Sequence, residues 1–319
     1  MKTLLLSACA LTVFAACAAE LRVGIVGCDT SHATAFTETW NNPQAKGHVP
    51  GFKVVAGFQG GSADISQSVK LQADIVPKLR EKYGVKFYDT IAQLCEDVDV
   101  VCLESLDGRP KLEQFKIIIK AKKPVFVDKP MGVSASETKA MFKLAKEAGV
   151  PVFTSSSLRF AKNTQAVKSG AIGVVTNAQT FGPCETDANH PEMYWYGIHG
   201  IEALFTVMGP GCESVQRGTN GLGKIVITGR WGGGRTGVFT EDNNFRGNAS
   251  GTRGEMPIGK WDGYVPLVEA ISAFFRSGVA PVSAEETSEI YSFMDAIELS
   301  RKQNGATIRL RSVDGDPGS

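Results

Sequence analysis

Short apolar runs alternate with longer amphipathic stretches along the first half of the chain, beginning at Leu21. This alternation is typical of βαβ units built around a parallel sheet. Six strands are predicted, at residues 21–27, 52–58, 85–88, 98–105, 123–130 and 150–156. Six is the strand count of a complete doubly wound nucleotide-binding sheet, in which ligands bind at the carboxyl ends of the strands.

The pattern changes after Arg159, where glycine becomes frequent and apolar residues alternate with polar ones. Such alternation predicts an antiparallel sheet. The predicted strands lie at 174–181, 213–218, 224–231 and 235–242, two helices at 264–278 and 284–305, and a closing strand at 307–310. The predicted fold class is therefore α/β: a Rossmann-like doubly wound parallel sheet plus an α+β domain with a mostly antiparallel sheet.

Four regions follow from these patterns: a signal peptide (1–18), a Rossmann-like nucleotide-binding domain (19–157), a substrate and oligomerisation domain (158–312) and a disordered tail (313–319). The signal peptide is predicted because Lys2 precedes an apolar stretch and an A-x-A pattern ending at Ala18. We expect a periplasmic or extracellular protein without membrane attachment after cleavage. Lipid attachment at Cys17 is the alternative.

The charge and cysteine content of the chain limit the kinds of ligand and the kinds of cross-link that are expected. Lys and Arg total 34 against 33 Asp and Glu, without runs of one sign, so a small-molecule partner is expected rather than nucleic acid or lipid. Of seven cysteines, two lie in the predicted signal peptide. The remaining odd number, with no CxxC spacing, predicts buried apolar thiols rather than disulfides or a zinc site.

The first predicted strand leads into a turn and a helix, the arrangement that presents backbone amides to a diphosphate. The three fingerprint glycine positions hold Gly27, Asp29 and His32. Asp29 places a carboxylate where the second glycine lets the backbone approach the diphosphate. Thr30, Ser31 and His32 open the helix, with Ser31 as the expected N-cap and His32 either an anion donor or a packing residue.

Gln59 follows the second predicted strand, and the acidic residue that binds the ribose of NAD is absent from this strand end. Gln59 and Ser62 can donate hydrogen bonds to a 2′-phosphate, although no arginine stands close by in the sequence. Ser105 and Asp128, at the ends of strands four and five, complete the candidate cofactor site. The cofactor is predicted to be NADP or NAD, and the alternative is a scaffold that binds no nucleotide.

Three short motifs follow in order at residues 128–130 (Asp-Lys-Pro), 159–160 (Arg-Phe) and 197–199 (Gly-x-His). With them the chain resembles the glucose-fructose oxidoreductase, inositol dehydrogenase and MocA (Gfo/Idh/MocA) family from about Leu21 to Leu310. The resemblance implies that Lys129 hydrogen-bonds a substrate hydroxyl and the nicotinamide, and that His199 is the general acid/base. It also implies a homo-oligomer. The family usually has an aspartate four residues before this histidine, whereas the position here is Trp195.

Candidate substrate-binding residues surround these motifs: Arg159, Asp187, His190, Tyr194, Trp195 and Tyr196. The three consecutive aromatic residues are expected to form a stacking wall for a sugar ring, with core packing as the alternative. Asp187, His190 and Glu192 could also join His199 and Glu202 in a metal site, but the spacing matches no standard ligand pattern, and no metal is predicted.

The leading hypothesis is an exported oxidoreductase that acts on a carbohydrate-like substrate (a sugar, cyclitol or glycoside) with NAD(P). One alternative is a cofactor-independent lyase or epimerase, with or without a metal, in which Lys129 and His199 transfer protons. Another is a non-enzymatic carbohydrate-binding protein on the same scaffold. Both enzymatic hypotheses require Lys129 and His199 to meet in one cleft.

Overall fold

The structure is a computed structural model that describes residues 19–310. The predicted signal peptide and tail lie outside the described residues. Within the described part of the chain, no helix is both long and apolar enough to cross a membrane.

Six parallel strands form the first sheet, in the order β3-β2-β1-β4-β5-β6. Each lies within a predicted segment: β1 (Leu21–Val26), β2 (Phe52–Phe58), β3 (Lys86–Phe87), β4 (Val100–Leu103), β5 (Val125–Asp128) and β6 (Val152–Ser155). The connecting helices are α1 (Ser31–Asn41), α2 (Ser66–Glu81), α3 (Ile91–Glu96), α4 (Lys111–Lys120) and α5 (Ala135–Ala148). This order is that of a doubly wound nucleotide-binding sheet, so the predicted Rossmann-like fold is confirmed.

Local sequence signals set the helix ends. The Ser134 Oγ accepts a hydrogen bond of 3.1 Å from the Glu137 N–H, and Gly149 ends α5 in the left-handed region with φ of 66°. The N-cap of α1 is Thr30, whose Oγ1 accepts from the His32 N–H, so the expectation of Ser31 as the cap is wrong.

The second sheet has seven strands in the order β12-β11-β7-β10-β9-β8-β13. They are β7 (Val175–Gly182), β8 (Cys212–Thr219), β9 (Ile225–Trp231), β10 (Thr236–Glu241), β11 (Arg246–Gly251), β12 (Gly254–Ile258) and β13 (Ile308–Arg309). Only β7 and β10 pair in parallel, which confirms the predicted mostly antiparallel sheet. β11 and β12 were not predicted. The helices of this half are α6 (Lys162–Lys168), α7 (Ile198–Met208), α8 (Val265–Ser277) and α9 (Ala284–Lys302).

Helix α8 returns to the first sheet although it follows the second one in sequence. Its apolar face belongs to the same buried cluster as Phe36 and Trp40 of α1. The Trp40 indole N–H donates to the Ser272 Oγ at 2.9 Å, and the Phe153 and Phe274 rings lie 4.8 Å apart. Because α8 packs on the Rossmann-like half, the residues at its start reach the carboxyl edge of the first sheet. The predicted boundary between 157 and 158 stays a prediction.

All five cysteines of the described region are buried and free of disulfides, as predicted from their number and spacing: Cys28, Cys95, Cys102, Cys184 and Cys212.

Candidate active site

A cavity of about 290 Å³ lies at the carboxyl ends of the first sheet, between the two halves of the chain. Thr30, Ser31 and His32 line it from the start of α1, and Lys129 lines it from the end of β5. The second half contributes the other wall, which includes Tyr196, Phe245, His199, Trp261 and Tyr264. We refer to this cavity as the cleft. It brings Lys129 and His199 together, as the sequence-based hypothesis required.

Lys129 follows β5, and its side chain is only 8% exposed. Its Nζ lies 5.3 Å from the centre of the Tyr196 ring, a cation–π contact. Across residues 19–310, no carboxylate oxygen lies within 4 Å of this ammonium. Burial lowers the pKa of Lys129, an effect that the charges of Asp128 and Glu185 oppose. The lysine is therefore a desolvated cation on the cleft wall.

His199 is the second residue of α7 and faces Lys129 across the cleft. Its Nδ1 is hydrogen-bonded to the Ser156 Oγ at 2.7 Å. Burial, followed by the charge of Lys129, holds the pKa of His199 well below its ordinary value. The imidazole is therefore neutral near pH 7, with Nδ1 fixed by a hydroxyl that can either donate or accept.

Asp128 and His32 form a buried pair beneath the cleft. The Asp128 Oδ2 lies 2.6 Å from the His32 Nδ1, and the Oδ1 accepts from the Lys129 N–H at 2.8 Å. Burial alone would raise the pKa of Asp128, but His32 and the neighbouring lysines hold it below its ordinary value. Asp128 is thus occupied with positioning His32 and the turn after β5, and it does not line the cleft.

Asp29 is fully buried and held by two hydrogen bonds. Its Oδ1 accepts from the Leu106 N–H at 3.0 Å, and its Oδ2 accepts from the Ser68 Oγ at 2.6 Å. Burial raises the pKa of Asp29, and the Ser68 hydroxyl partly offsets this effect. The carboxylate therefore closes the space between the glycine turn, α2 and the end of β4, and it is not presented to a ligand as a free group.

Gly27 and Ser105 pack directly against each other. A Cβ at Gly27 would lie 2.3 Å from the Ser105 backbone nitrogen, and Gly27 has φ of 92°. The Ser105 Oγ donates to the Gln114 Oε1 at 2.8 Å. The glycine is thus required by the approach of β1 to β4. Neither residue lines the cleft, and their role as cofactor contacts stays a prediction.

Gln59 lies in a second cavity of about 490 Å³ at the carboxyl ends of β2 and β3. Arg80 of α2 lines the same cavity and stacks on the Phe87 ring at 4.6 Å. No arginine is close to Gln59 in the sequence, but the fold places Arg80 of α2 in the same cavity as Gln59. Ser62 is not available to a ligand there, since its hydroxyl donates to the Asp107 Oδ2 at 2.6 Å.

These two cavities correspond to the two ends of a nicotinamide dinucleotide on a doubly wound sheet. The cleft would take the nicotinamide beside Lys129, and the second cavity would take the adenosine beside Gln59 and Arg80. Asp29, bonded to Ser68 and Leu106, directly precedes the N-cap of α1 at the second glycine position of the fingerprint, and it lines neither cavity. The residues present fit both ends of the cofactor but do not fit its diphosphate with Asp29 in this position.

Arg159 does not line the cleft, although it was predicted to bind substrate. Its guanidinium is fully buried. The Nε donates to the Glu202 Oε1 and the Nη1 to the Glu286 Oε1, each at 2.7 Å. Glu202 in turn accepts from the Ser156 N–H at 2.7 Å, and Ser156 holds His199. Arg159 is therefore a buried support of the segment that positions His199.

The predicted aromatic wall is only partly present. Tyr196 lines the cleft, whereas Tyr194 and Trp195 are buried on the other side of the same π-helical turn (Met193–Gly197). The Tyr194 hydroxyl donates to the Asp295 Oδ1. Consecutive residues of a helical turn point in different directions, so three adjacent aromatic side chains cannot share one surface.

His190 and Asp187 are also away from the cleft. The His190 Nε2 lies 2.8 Å from the Asp107 Oδ1, which joins the second half of the chain to the loop after β4. Asp187 accepts a hydrogen bond of 2.8 Å from the Asn189 N–H within its own turn. Within residues 19–310, no group of three or more His, Cys, Asp or Glu side chains is arranged to hold a metal ion.

Sequence reasoning missed several residues that line the cleft. The Tyr264 ring lies 4.6 Å from the His32 ring at the start of α8, and Phe245 lies 5.6 Å from the His199 ring. Tyr264 precedes a predicted helix, but nothing in the sequence showed that this helix returns to the first sheet. Phe245 is a single aromatic residue in a polar turn between strands, which gave no signal.

Comparison with known proteins agrees with this architecture. Residues 21–156 match the model of an oxidoreductase family described as having an NAD-binding Rossmann fold (GFO_IDH_MocA). A myo-inositol 2-dehydrogenase from Thermotoga maritima is 34% identical over 110 residues, which is 32% of this chain and 33% of that protein. The chain thus aligns with about a third of the length of this curated relative.

Solved structures match over most of the chain. A myo-inositol dehydrogenase from Lactobacillus casei, solved with NAD(H) and myo-inositol, has a TM-score of 0.71 and 16% identity, covering 93% of this chain and 98% of that one. A scyllo-inositol dehydrogenase from the same organism, with NAD(H) and scyllo-inositol, has a TM-score of 0.69 and 14% identity, covering 91% and 99%. At this identity they establish the fold. The predicted resemblance to the Gfo/Idh/MocA oxidoreductases is confirmed over residues 21–156, which match the model of that family.

Proposed function

We propose that this protein is an oxidoreductase that acts on an alcohol carbon of a sugar, cyclitol or glycoside, with NAD or NADP as its redox partner. The observation that carries the proposal is the presence of Lys129 and His199, contributed by the two halves of the chain, on the walls of one small cleft. The family match and the inositol dehydrogenases of similar fold support the substrate class.

His199 is suited to exchange a proton with a substrate hydroxyl. Its pKa lies well below the ordinary value, so the neutral ring predominates near pH 7 and can accept a proton. The Ser156 Oγ, 2.7 Å from Nδ1, can donate or accept, and therefore it supports either tautomer. We assign the opposite nitrogen, Nε2, to the substrate.

Lys129 is suited to stabilise the oxygen from which that proton departs. A buried ammonium attracts a developing alkoxide more strongly than an exposed one, because little water competes with it. Loss of the hydroxyl proton to His199 and stabilisation of the oxygen by Lys129 are the two steps that the chain's own residues supply.

The redox partner would accept the hydride from the same carbon. The start of α1 and Lys129 would hold its nicotinamide half, and Gln59 with Arg80 its adenosine half. This arrangement requires the Asp29 carboxylate to leave its place at the second glycine position of the fingerprint.

The position of Asp29 favours a second candidate, a lyase or epimerase that needs no dinucleotide. In such an enzyme, Lys129 and His199 would move protons within the substrate, and the diphosphate position would be permanently closed by Asp29.

The test begins with purified mature protein, which is denatured so that any released NAD(P) can be assayed in the supernatant. Undenatured protein is then titrated with NADH and NADPH, and incubated with inositols and aldoses. Nucleotide-dependent oxidation that is lost in Lys129→Met and His199→Gln supports the oxidoreductase. Substrate conversion that proceeds without any nucleotide and without net oxidation supports the lyase or epimerase and contradicts the first candidate.

We also propose that the protein is exported, on the basis of the apolar stretch and the A-x-A pattern before Ala19. Mass spectrometry of the protein from the producing cell should show a mature chain that begins at Ala19. A chain that retains Met1 in the cytoplasm would contradict this proposal.

A further inference from the structure

We infer that the substrate carries a carboxylate, as an aldonate or a uronate does, and that this group binds in the cleft at Lys129 and His32. The inference deepens the proposed function, since it rests on the same cleft and narrows its substrate class from sugars in general to sugar acids.

The first observation is the unpaired charge of Lys129. Its side chain is 8% exposed, yet no carboxylate within the described residues forms an ion pair with its Nζ. Within residues 19–310 the Nζ lies 5.3 Å from the centre of the Tyr196 ring, and the charges of Asp128 and Glu185 act on it without forming an ion pair. Desolvating an ammonium costs several kcal/mol unless an anion compensates, so a ligand that supplies the anion would gain affinity there.

The second observation is the pair of imidazole rings that line the cleft with this lysine. Asp128 holds the His32 Nδ1 at 2.6 Å, which leaves the opposite ring nitrogen for the cleft. His199 lies on the facing wall. One lysine and two histidines therefore surround a cavity of about 290 Å³.

The third observation concerns acceptors. Neutral polyols donate several hydroxyl protons, so their binding sites need acceptors, and carboxylates are the strongest ones in proteins. None of the described side chains that line the cleft is an aspartate or a glutamate. The first turn of α1, which opens onto the cleft, also lacks acidic residues. This composition suits a ligand that itself brings the acceptor.

Two pairs of probes test the inference by isothermal titration calorimetry on the intact mature protein. Gluconate is compared with glucitol, and glucuronate with glucose, because the members of each pair share a carbon skeleton and differ in the acid group. A charge-assisted hydrogen bond predicts that the acid binds about ten- to a hundredfold more tightly than its neutral partner. Raising the salt concentration should reduce this difference only weakly, because the site is buried.

Variants assign the effect to the cleft. Lys129→Met should remove the preference for the acid in both pairs, and His32→Asn should reduce it. Lys116→Met is the matched control, because Lys116 is an exposed lysine that pairs with Glu113 on α4, and it should leave the preference unchanged. Thermal unfolding of each variant verifies that the fold is retained.

Acids that bind no better than their neutral partners, including a lack of binding by either acid, would overturn the inference. A preference that persists in Lys129→Met would overturn it as well, since the charge would then be recognised elsewhere. These outcomes can be distinguished from a failure of the proposed function. If the protein oxidises glucose or an inositol but does not bind the acids, the proposed oxidoreductase function still holds and only the acidic substrate class is ruled out.

Discussion

Replacement of Asp29 by glycine tests whether the chain's own carboxylate obstructs the dinucleotide. Asp29 occupies the second glycine position of the fingerprint and is bonded to Leu106 and Ser68 across the diphosphate position. Asp29→Gly removes the carboxylate and restores the residue that lets the backbone approach a diphosphate. We expect the affinity for NADH or NADPH to increase.

The magnitude follows from the charge. Two unit charges about 4 Å apart repel by about 4 kcal/mol at the effective dielectric constant of about 20 that suits such sites. Each 1.4 kcal/mol corresponds to about a factor of ten in affinity, so relief of this repulsion predicts a gain of about a hundred- to a thousandfold. The variant loses two hydrogen bonds, which should lower the free energy of unfolding by about 2 kcal/mol.

Fluorescence titration with NADH and NADPH measures the dissociation constants of the wild type, Asp29→Gly and Ser68→Ala. Ser68→Ala is the matched control, because it removes one partner of Asp29 but leaves the charge, and its affinity should change by less than about tenfold. Because burial raises the pKa of Asp29, the affinity of the wild type should also increase as the pH falls and the carboxyl becomes neutral. Equal dissociation constants for the wild type and Asp29→Gly would refute the obstruction, and would mean that Asp29 moves aside when the cofactor binds.

Three further predictions concern stability. Lys129→Met should abolish turnover without lowering the free energy of unfolding by more than about 1 kcal/mol, because it removes a buried charge that has no ion pair; a larger loss on urea denaturation would assign the lysine a structural role. Arg159→Met should lower the free energy of unfolding by about 3–5 kcal/mol in the same assay, because it leaves Glu202 and Glu286 without their shared partner. A decrease of less than about 1 kcal/mol would contradict this prediction. Because the pKa of His199 is lowered in the folded protein, the unfolded chain binds a proton below about pH 6.5 that the folded chain does not. The free energy of unfolding should therefore fall as the pH drops below about 6.5, by at most about 1.4 kcal/mol per pH unit. His199→Gln should make the free energy of unfolding less dependent on pH in this range.

The fold could be predicted because burial requires apolar residues to recur along the sequence at the spacing of a helix or a strand. Strands such as β4 and β5 are buried on both faces and appear as continuous apolar runs, which the sequence shows directly. β11 and β12 were missed because glycines, polar residues and a proline separate their few apolar residues, and because they are the last two strands at one end of the second sheet, with β12 at its edge. Edge strands with one exposed face need little apolar sequence.

The site was less predictable, because side-chain direction and distant partners decide it. Lys129 and His199 were identified from motifs, and the structure places both in the cleft. Arg159 was assigned to the substrate from its motif alone, but two glutamates that lie 43 and 127 positions away bind it in the interior. A sequence shows that an arginine is present, whereas its pairing depends on which helices the fold brings beside it.

The same reasoning connects Asp29 with the acidic substrate inferred above. The start of α1 carries the positive end of a helix dipole, and on this type of sheet that end attracts the diphosphate of a nucleotide. Here Asp29, directly before the Thr30 N-cap, supplies a negative charge from the chain itself. The helix start is therefore partly neutralised, while His32 is already paired with Asp128 and the Lys129 ammonium on the cleft wall has no ion pair within the described residues. The attraction for anions has thus moved from the position of the cofactor diphosphate to that of the substrate, which is why the cleft is expected to select a sugar acid.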